Sequence, residues 1–557
     1  MAIAAQTIHE VQSGGDDTNN GGMFDPSRTA GMFTDGAATS ATGNAPVFTS
    51  ASYTFVAGDV GAYVYIATGT NWTPGWYKID SVAGGAATVN ATIGTALQLT
   101  TGSSAISASE ASFALNTVAG CATAASPTGA TWSIDYSQQA SAQFTYTDLA
   151  STGAGLTVSS AAQPFAKEQV GNSLVITGGT NFTAGRYIIA SVAAGVATVT
   201  GAANITTGVG ASGTGGQGGA YASPGKVGAH IVALNRIFIK SATYTVTSAT
   251  INIAAGCLSI SVSAVHIEGY GTVRGDLRTI GAGTRPTIIA SAISTFTLLA
   301  QTVGSQRLVA NIILDGAGLT SSSGVSGNNG ECYNCKGQNF TNAAFSGSGM
   351  SCTACETTGC STVASFTSSG GHFGCVAHDN TFTGFINGSY FNCVSDSNSG
   401  ATSDGFGGTP IYFMANCTSY GNGRDGFRCA SNSFTMANCV AEGNTGVGFT
   451  FSGTSATALN CAAYNNTGGV RTITASVNYR EIGFITGTAS FFTDAAGADF
   501  SLNTTAGGGA ALRAIGYPGA LPAGGTGYID VGALQHADPV GGGTTHALYG
   551  ARGSGFL

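Results

Sequence analysis

Apolar and polar residues fall into two regimes along this chain. Up to about residue 205, short segments such as Tyr63–Ile66 and Trp76–Ile79 alternate between Gly-Thr-Asn turns. That is the period-two pattern of half-buried strands. From residue 230 the runs shorten to Ile237-Phe-Ile, Tyr244-Thr-Val, Ile251-Asn-Ile and Val265-His-Ile, separated by Gly, Asn and Ser. The gaps leave no room for crossover helices. The pattern predicts an all-β chain whose second part is a solenoid.

The first regime is internally duplicated. Gly61-Ala-Tyr-Val-Tyr-Ile-Ala-Thr-Gly-Thr-Asn-Trp72 matches Gly171-Asn-Ser-Leu-Val-Ile-Thr-Gly-Gly-Thr-Asn-Phe182 at an offset of 110 residues, and the match runs on to Thr88-Val89 and Thr198-Val199. Asp25 and Asp135 share that offset. The expected organisation is an N-terminal segment (1–20), two copies of a small antiparallel β module (21–130 and 131–207), a Gly-rich linker (208–229), a parallel β-helix (230–535) and a C-terminal tail (536–557). Trp72, Trp76 and Tyr77 suit core packing, their commoner role, or a glycan platform.

The second regime carries a repeat near 22 residues. Cysteines stand at Cys335, Cys355, Cys375, Cys393, Cys417, Cys439 and Cys461. Five of them open Cys-x4-Asn, ending at Asn380, Asn398, Asn422, Asn444 and Asn466. A further column holds Phe385, Phe406, Phe427 and Phe449, each after a glycine. One small thiol, one Asn and one Phe per period mean one coil per period. Parallel pairing then stacks equivalent residues about 4.8 Å apart. Inward positions become Cys and Phe ladders, while a corner Asn tolerates left-handed backbone and can chain its amide from coil to coil. Residues 230–500 at this period give about 13 coils and a rod on the order of 60 Å. The handedness rule for parallel crossovers makes it right-handed.

Composition narrows the function. Charged residues are 8% of the chain, against about 25% in ordinary soluble domains. Glycine is abundant (86 residues) and 43% of residues are apolar, which excludes a solvated disordered chain. The net charge is −8 and no Lys/Arg cluster exists to track phosphates, so nucleic-acid binding is not expected. No apolar run is long enough for a membrane-spanning helix. The first residues lack the basic region of a secretory signal. The reading is a protein made in a cytoplasm, with its 13 cysteines reduced.

The coil Asn416-Cys-Thr-Ser-Tyr-Gly-Asn-Gly-Arg-Asp-Gly-Phe427 resembles those of pectate-lyase-type right-handed parallel β-helices. So do Asp499-Phe-Ser-Leu502 and the closing Tyr528-Ile-Asp-Val-Gly-Ala-Leu-Gln535. This resemblance covers about 300 residues and is specific for fold. The N-terminal half, with Asp135-Tyr-Ser-Gln-Gln139 and its Gly-Thr-Asn repeat, is similar to phage virion proteins in which such modules precede a β-helix, as in tailspikes and particle-surface spikes. The resemblance implies a homotrimeric rod attached to other virion proteins by its N-terminal region, assembled in a host cytoplasm. No cofactor is expected, and no catalytic residues carry across because no family active-site motif is present.

Few residues invite chemistry. Cys332, Cys335, Cys352 and Cys355 have zinc-site spacing, but the 20-residue offset is the coil period and favours structural stacking; zinc or a disulfide are the alternatives. Asp404 and Asp425 precede the column residues Phe406 and Phe427 by two positions, so they should stack about 5 Å apart, as a glycosidase acid pair requires. Arg424 and Arg428 lie beside them, able to neutralise the pair instead. Asp379, Asp396, Tyr420, Glu442 and Tyr464 cluster near another corner, where with Arg424 they could line a saccharide groove or simply keep the rod soluble. The expected function is a virion surface spike for host attachment or capsid decoration. A polysaccharide-degrading lyase or glycosidase and a secreted adhesin are the alternatives.

Overall fold

The computed structural model describes residues 8–15, 33–38, 47–72, 75–89, 128–136, 144–200, 204–228, 236–246, 256–260, 265–272, 274, 276–277, 283–291, 296–301, 307–320, 322–430, 433–474, 477–513, 515–516 and 530–534. They form two compact units, Met1–Tyr244 with Ile260–Pro286, and Thr245–Ser259 with Thr287–Leu557.

The duplicated sequence folds as two closed antiparallel barrels with the same strand order. In the first, Phe33–Ala38, Val47–Thr49, Ala86–Val89, Gly75–Ala83, Tyr63–Thr70 and Thr128–Asp135 follow one another round the barrel. Its core is aromatic: Trp132 stacks on Phe33 at 4.7 Å and meets Phe48 edge-on at 5.0 Å. Trp72 and Tyr77 lie in the same core, which settles them as packing residues; the Trp76 side chain is outside the described residues.

Both module boundaries differ from the sequence reading. The 110-residue offset covers only five strands per copy, because unequal connections (90–127 and 201–205) precede the sixth. Asp135 therefore ends the closing strand of the first barrel rather than opening the second. The second barrel is closed by Thr206–Gln217, the stretch expected to be a loose linker. Its glycines serve close strand approach, not flexibility. A Cβ on Gly215 would lie 2.3 Å from the Val175 carbonyl oxygen, and one on Gly213 2.6 Å from Leu149 Cβ.

The first unit also holds a small parallel sheet. Ile8–Val11 pairs with Arg236–Lys240, which pairs with His266–Tyr270. Both barrels are thus inserted between two neighbouring strands of one sheet, and the N-terminal segment belongs to the parallel architecture. Arg274, fully buried, ties these parts together. It donates to Glu10 Oε2 (2.8 and 3.0 Å) and to Asp135 Oδ2 (2.7 Å), and its guanidinium lies 4.6 Å from the Tyr63 ring centre and 4.7 Å from that of Phe238.

The second unit is a parallel β-solenoid of about eight turns. One sheet runs from Thr287–Ala290 through Val376–His378, Val394–Asp396 and Thr418–Tyr420 to Ile485–Thr486. Another passes through Ser351–Thr353, Gly371–Phe373, Phe385–Phe391 and Phe406–Ala415 to Asn478–Ile482. The turn count falls short of 13 partly because the chain leaves the stack after Thr486. It forms the hairpin Phe492–Asp494/Asp499–Leu502 and lays Phe491, Phe492, Phe500 and Leu502 on the outer face of the first sheet, over Val394, Val440 and Ala462. Gly532 N then donates to Asn438 O and Ala533 N to Thr418 Oγ1, so the closing segment crosses the same face. Residues 536–557 lie outside the described residues.

The ladders are present. Phe345, Phe366, Phe385, Phe406, Phe427 and Phe449 stack at 4.7–5.1 Å with planes within 15°. The seven ladder cysteines are buried free thiols, and burial pushes Cys335, Cys375, Cys417 and Cys461 well above the ordinary thiol range. The Asn side chains pass one amide to the next: Asn380 Nδ2 to Asn398 Oδ1, then Asn422, Asn444 and Asn466, at 2.8–3.0 Å. The left-handed role belongs elsewhere, to the residue before the cysteine. Asn334, Asn392, Asn416, Asn438 and Asn460 have φ of 48–54°. Two asparagine columns divide the work expected of one.

Candidate functional site

Asp404 and Asp425 do occupy successive coils, because Phe406 and Phe427 are in register. Their lone pairs are engaged in structural bonds. Asp404, 2% exposed, accepts Arg424 Nε at 2.6 Å, Arg424 Nη2, and the Asp425 amide at 3.2 Å. Burial raises its carboxyl pKa while Arg424 opposes the shift. Asp425 accepts the Val447 amide (2.9 Å) and the Thr450 hydroxyl (2.8 Å) from the next coil. Each carboxylate fastens one coil to its neighbour, and Arg424 neutralises Asp404.

The second group splits in two. Strand register places Gln338, Thr358, His378, Asp396, Tyr420, Glu442 and Tyr464 in one column, the last residue of each strand. These are the Cys-plus-three positions, a signal available in the sequence. Toward the C-terminal end the column anchors the returning segment. Glu442 accepts the Ser490 hydroxyl (2.6 Å) and the Phe491 amide (2.9 Å), Tyr420 packs on Phe492 and Phe500, and Tyr464 on Phe491. The returning segment buries Glu442 and partly covers Tyr420 and Tyr464.

Earlier in the column lies a polar cluster. His378 sits between Asp379 Oδ2 and Glu356 Oε1, at 2.8 Å from each, and Lys336 Nζ donates to the same Glu356 oxygen at 2.8 Å. Asp396 is one rung above His378. Burial, with Asp379 and Glu356 adding negative potential, pushes its carboxyl up to about 7. A carboxylate–imidazole–carboxylate chain beside a protonatable buried acid can hold and exchange a proton near neutrality. The sequence reading chose Asp379 and Asp396 but passed over Lys336, Glu356 and His378. Lys336 and Glu356 occupy the Cys-plus-one column, two residues from His378 along the strand axis.

Cys332 and Cys352 pair in one column, Cys335 and Cys355 in the ladder. Among the described residues no group of three or more His, Cys, Asp or Glu is arranged to hold a metal. Among the same residues no helix is long and apolar enough to cross a membrane.

No protein-family model matches the chain, and no curated protein matches it. Among solved structures it is similar to ORF18 of Geobacillus virus E2, at 11% identity and a TM-score of 0.33 over 47% of this chain; it spans 57% of that protein's length. It is similar to the A-module of the Azotobacter vinelandii mannuronan C-5 epimerase AlgE4, at 16% identity and a TM-score of 0.31 over 45% of this chain and 79% of the other. Pectate lyase Pel9A aligns at 14% identity and a TM-score of 0.30 over 56% of this chain and 90% of the other. At these scores the likenesses assign neither activity nor substrate.

Proposed function

We propose that this chain is a structural protein of a bacteriophage virion surface, a homotrimeric spike that serves host attachment or decorates the capsid. The observation that carries the structural role is the employment of the carboxylates. Asp404, Asp425 and Glu442 each bind backbone amides or an arginine of a neighbouring coil or of the returning segment. Groups so engaged stabilise a rod. The virion assignment draws on the N-terminal resemblance and the low charge. Immunogold electron microscopy of purified virions carrying the gene tests it. Many copies on the shell mean decoration and a few at the tail mean attachment; absence from the particle overturns the proposal.

One observation favours a second reading, action on a polysaccharide. The Glu356–His378–Asp379 chain with Asp396 has the proton-holding character that glycan cleavage uses. Reducing-end release from acidic and neutral polysaccharides, compared between the wild type and Asp396→Asn, tests it. Equal and negligible release from both removes the reading.

A further inference from the structure

Two inward columns of side chains run side by side within the second unit. One is the cysteine ladder. The other, three residues earlier in each coil, holds Cys332, Cys352, His372, Tyr390, Met414 and Met436, all buried and joined by strand register. Thiol, imidazole and thioether groups are soft ligands, of the kind that select cuprous-class ions over magnesium or calcium.

His372 is the one nitrogen ligand in this column, and its two ring nitrogens are treated differently. Nε2 faces the Ser368 hydroxyl at 2.9 Å and the Ser368 carbonyl at 3.3 Å. A carbonyl only accepts, so Nε2 carries the proton and Nδ1 presents its lone pair. Nδ1 is buried and has no hydrogen-bond partner. Burial holds the ring below the ordinary imidazole pKa, so it is neutral at pH 7. Tyr390, stacked at 5.2 Å, and Phe366, edge-on at 5.5 Å, fix its orientation. An imidazole whose N–H is tied to a carbonyl while its other nitrogen stays bare is prepared as a metal ligand. The Cys393 thiol of the next coil lies beside it. Cys393 Sγ is 3.4 Å from the His372 carbonyl oxygen, and the two side chains are close enough for the charge of one to act on the other.

We propose that His372 Nδ1 and Cys393 Sγ bind one cuprous-class ion between them, in a two-coordinate site inside the coils. Two donors suffice for a soft monovalent ion, and the described residues offer no larger set of His, Cys, Asp or Glu. Charge decides where along the columns the ion sits. The thiol releases its proton as it binds. One thiolate, one monovalent cation and one neutral imidazole then sum to zero, which an apolar interior accepts. Two thiolates of the ladder would leave a net negative charge buried there. The histidine rung is therefore preferred over every rung that has only sulfur.

The test is the copper retained by the full chain. Folded protein is incubated anaerobically with cuprous ion, and a parallel sample is refolded in its presence because the site is buried. Both are desalted against a chromogenic cuprous chelator, and copper per chain is measured. The wild type is expected to keep one ion. His372→Phe preserves the ring stacking and removes the nitrogen. It is expected to hold copper at least about tenfold more weakly, since losing a ligand costs no less than losing the group that orients one. Cys393→Ala is expected to do the same, and it stands in if far-ultraviolet dichroism shows the phenylalanine variant unfolded. Cys439→Ala, which removes a ladder thiol two coils beyond Cys393, is expected to bind as the wild type does. A wild type that keeps no copper by either route overturns the proposal. So does copper held equally by the wild type and the folded His372→Phe or Cys393→Ala variant, because the ladder thiols would then bind it without this pair.

Discussion

Asn422→Ala probes what holds the coils in register. Asn422 is fully buried. Its Nδ2 donates to Asn444 Oδ1 (3.0 Å), Ser419 Oγ (2.9 Å) and Ser395 O (3.0 Å), while its Oδ1 accepts Asn398 Nδ2 (2.8 Å) and the Asn398 amide (3.3 Å). Alanine removes the amide, so the Asn398 backbone amide and Ser395 O lose these bonds, while Asn444 Oδ1 keeps the Asn422 backbone amide and the Ser419 hydroxyl. A buried group orphaned in this way costs about 1–3 kcal/mol. Two such groups are affected here, so the loss is about 2–6 kcal/mol. Asn466→Ala, at the half-exposed end of the ladder, orphans fewer groups and should cost about half as much. Solenoid stability sums over coils and their interfaces, so the loss should appear as faster amide hydrogen exchange centred on residues 395–445. Urea unfolding followed by circular dichroism gives the total. A cost below about 1 kcal/mol, or equal costs at Asn422 and Asn466, would falsify the claim that the amide chain supplies the register; stacking of the Phe and Cys ladders would then suffice.

Arg274→Met leaves Glu10 and Asp135 buried without their cation and should destabilise the first unit by about 3–5 kcal/mol. Trp132 fluorescence during denaturation reads this, and an unchanged midpoint refutes it. Asp396 has its carboxyl raised to about 7 in the folded chain, above the unfolded value of about 3.9. The folded state therefore binds the extra proton between those values, and stability falls as pH rises from about 4 to 7, by up to about 4 kcal/mol. Asp396→Asn should flatten that part of the Tm-against-pH curve and exceed the wild type at pH 8; parallel curves exclude the assignment. Glu442→Gln keeps one acceptor for Ser490 and Phe491 but loses the charge, at about 1–2 kcal/mol. Limited proteolysis should then cut within 488–512 sooner than in the wild type while the coils resist; an unchanged digestion rate rules out Glu442 as the clasp.

The second half of the fold was legible because a solenoid writes its period into the chain. Cys, Asn and Phe recur at one spacing only because one coil lies on the next, so the ladders could be named residue by residue. Duplication likewise exposed the two barrels, since both copies keep the same turns. Their last strands escaped notice because unequal connections broke the offset, and because Gly213 and Gly215 read as flexibility when strand approach requires them. The fate of the carboxylates was not legible. Spacing put Asp404 above Asp425, but only side-chain direction shows Arg424 capping one and the next coil's Val447 amide and Thr450 hydroxyl claiming the other. Nor does sequence say that Phe491, Phe492 and Phe500 fold back over Tyr420 and Glu442, since a segment that leaves the repeat carries no period to place it. What the sequence determines by itself is the local rule that repeats: strand, corner and inward residue. What the tertiary structure decides is which outward residues meet, because those contacts join positions with no common spacing, such as Glu10 with Arg274 and Glu442 with Ser490.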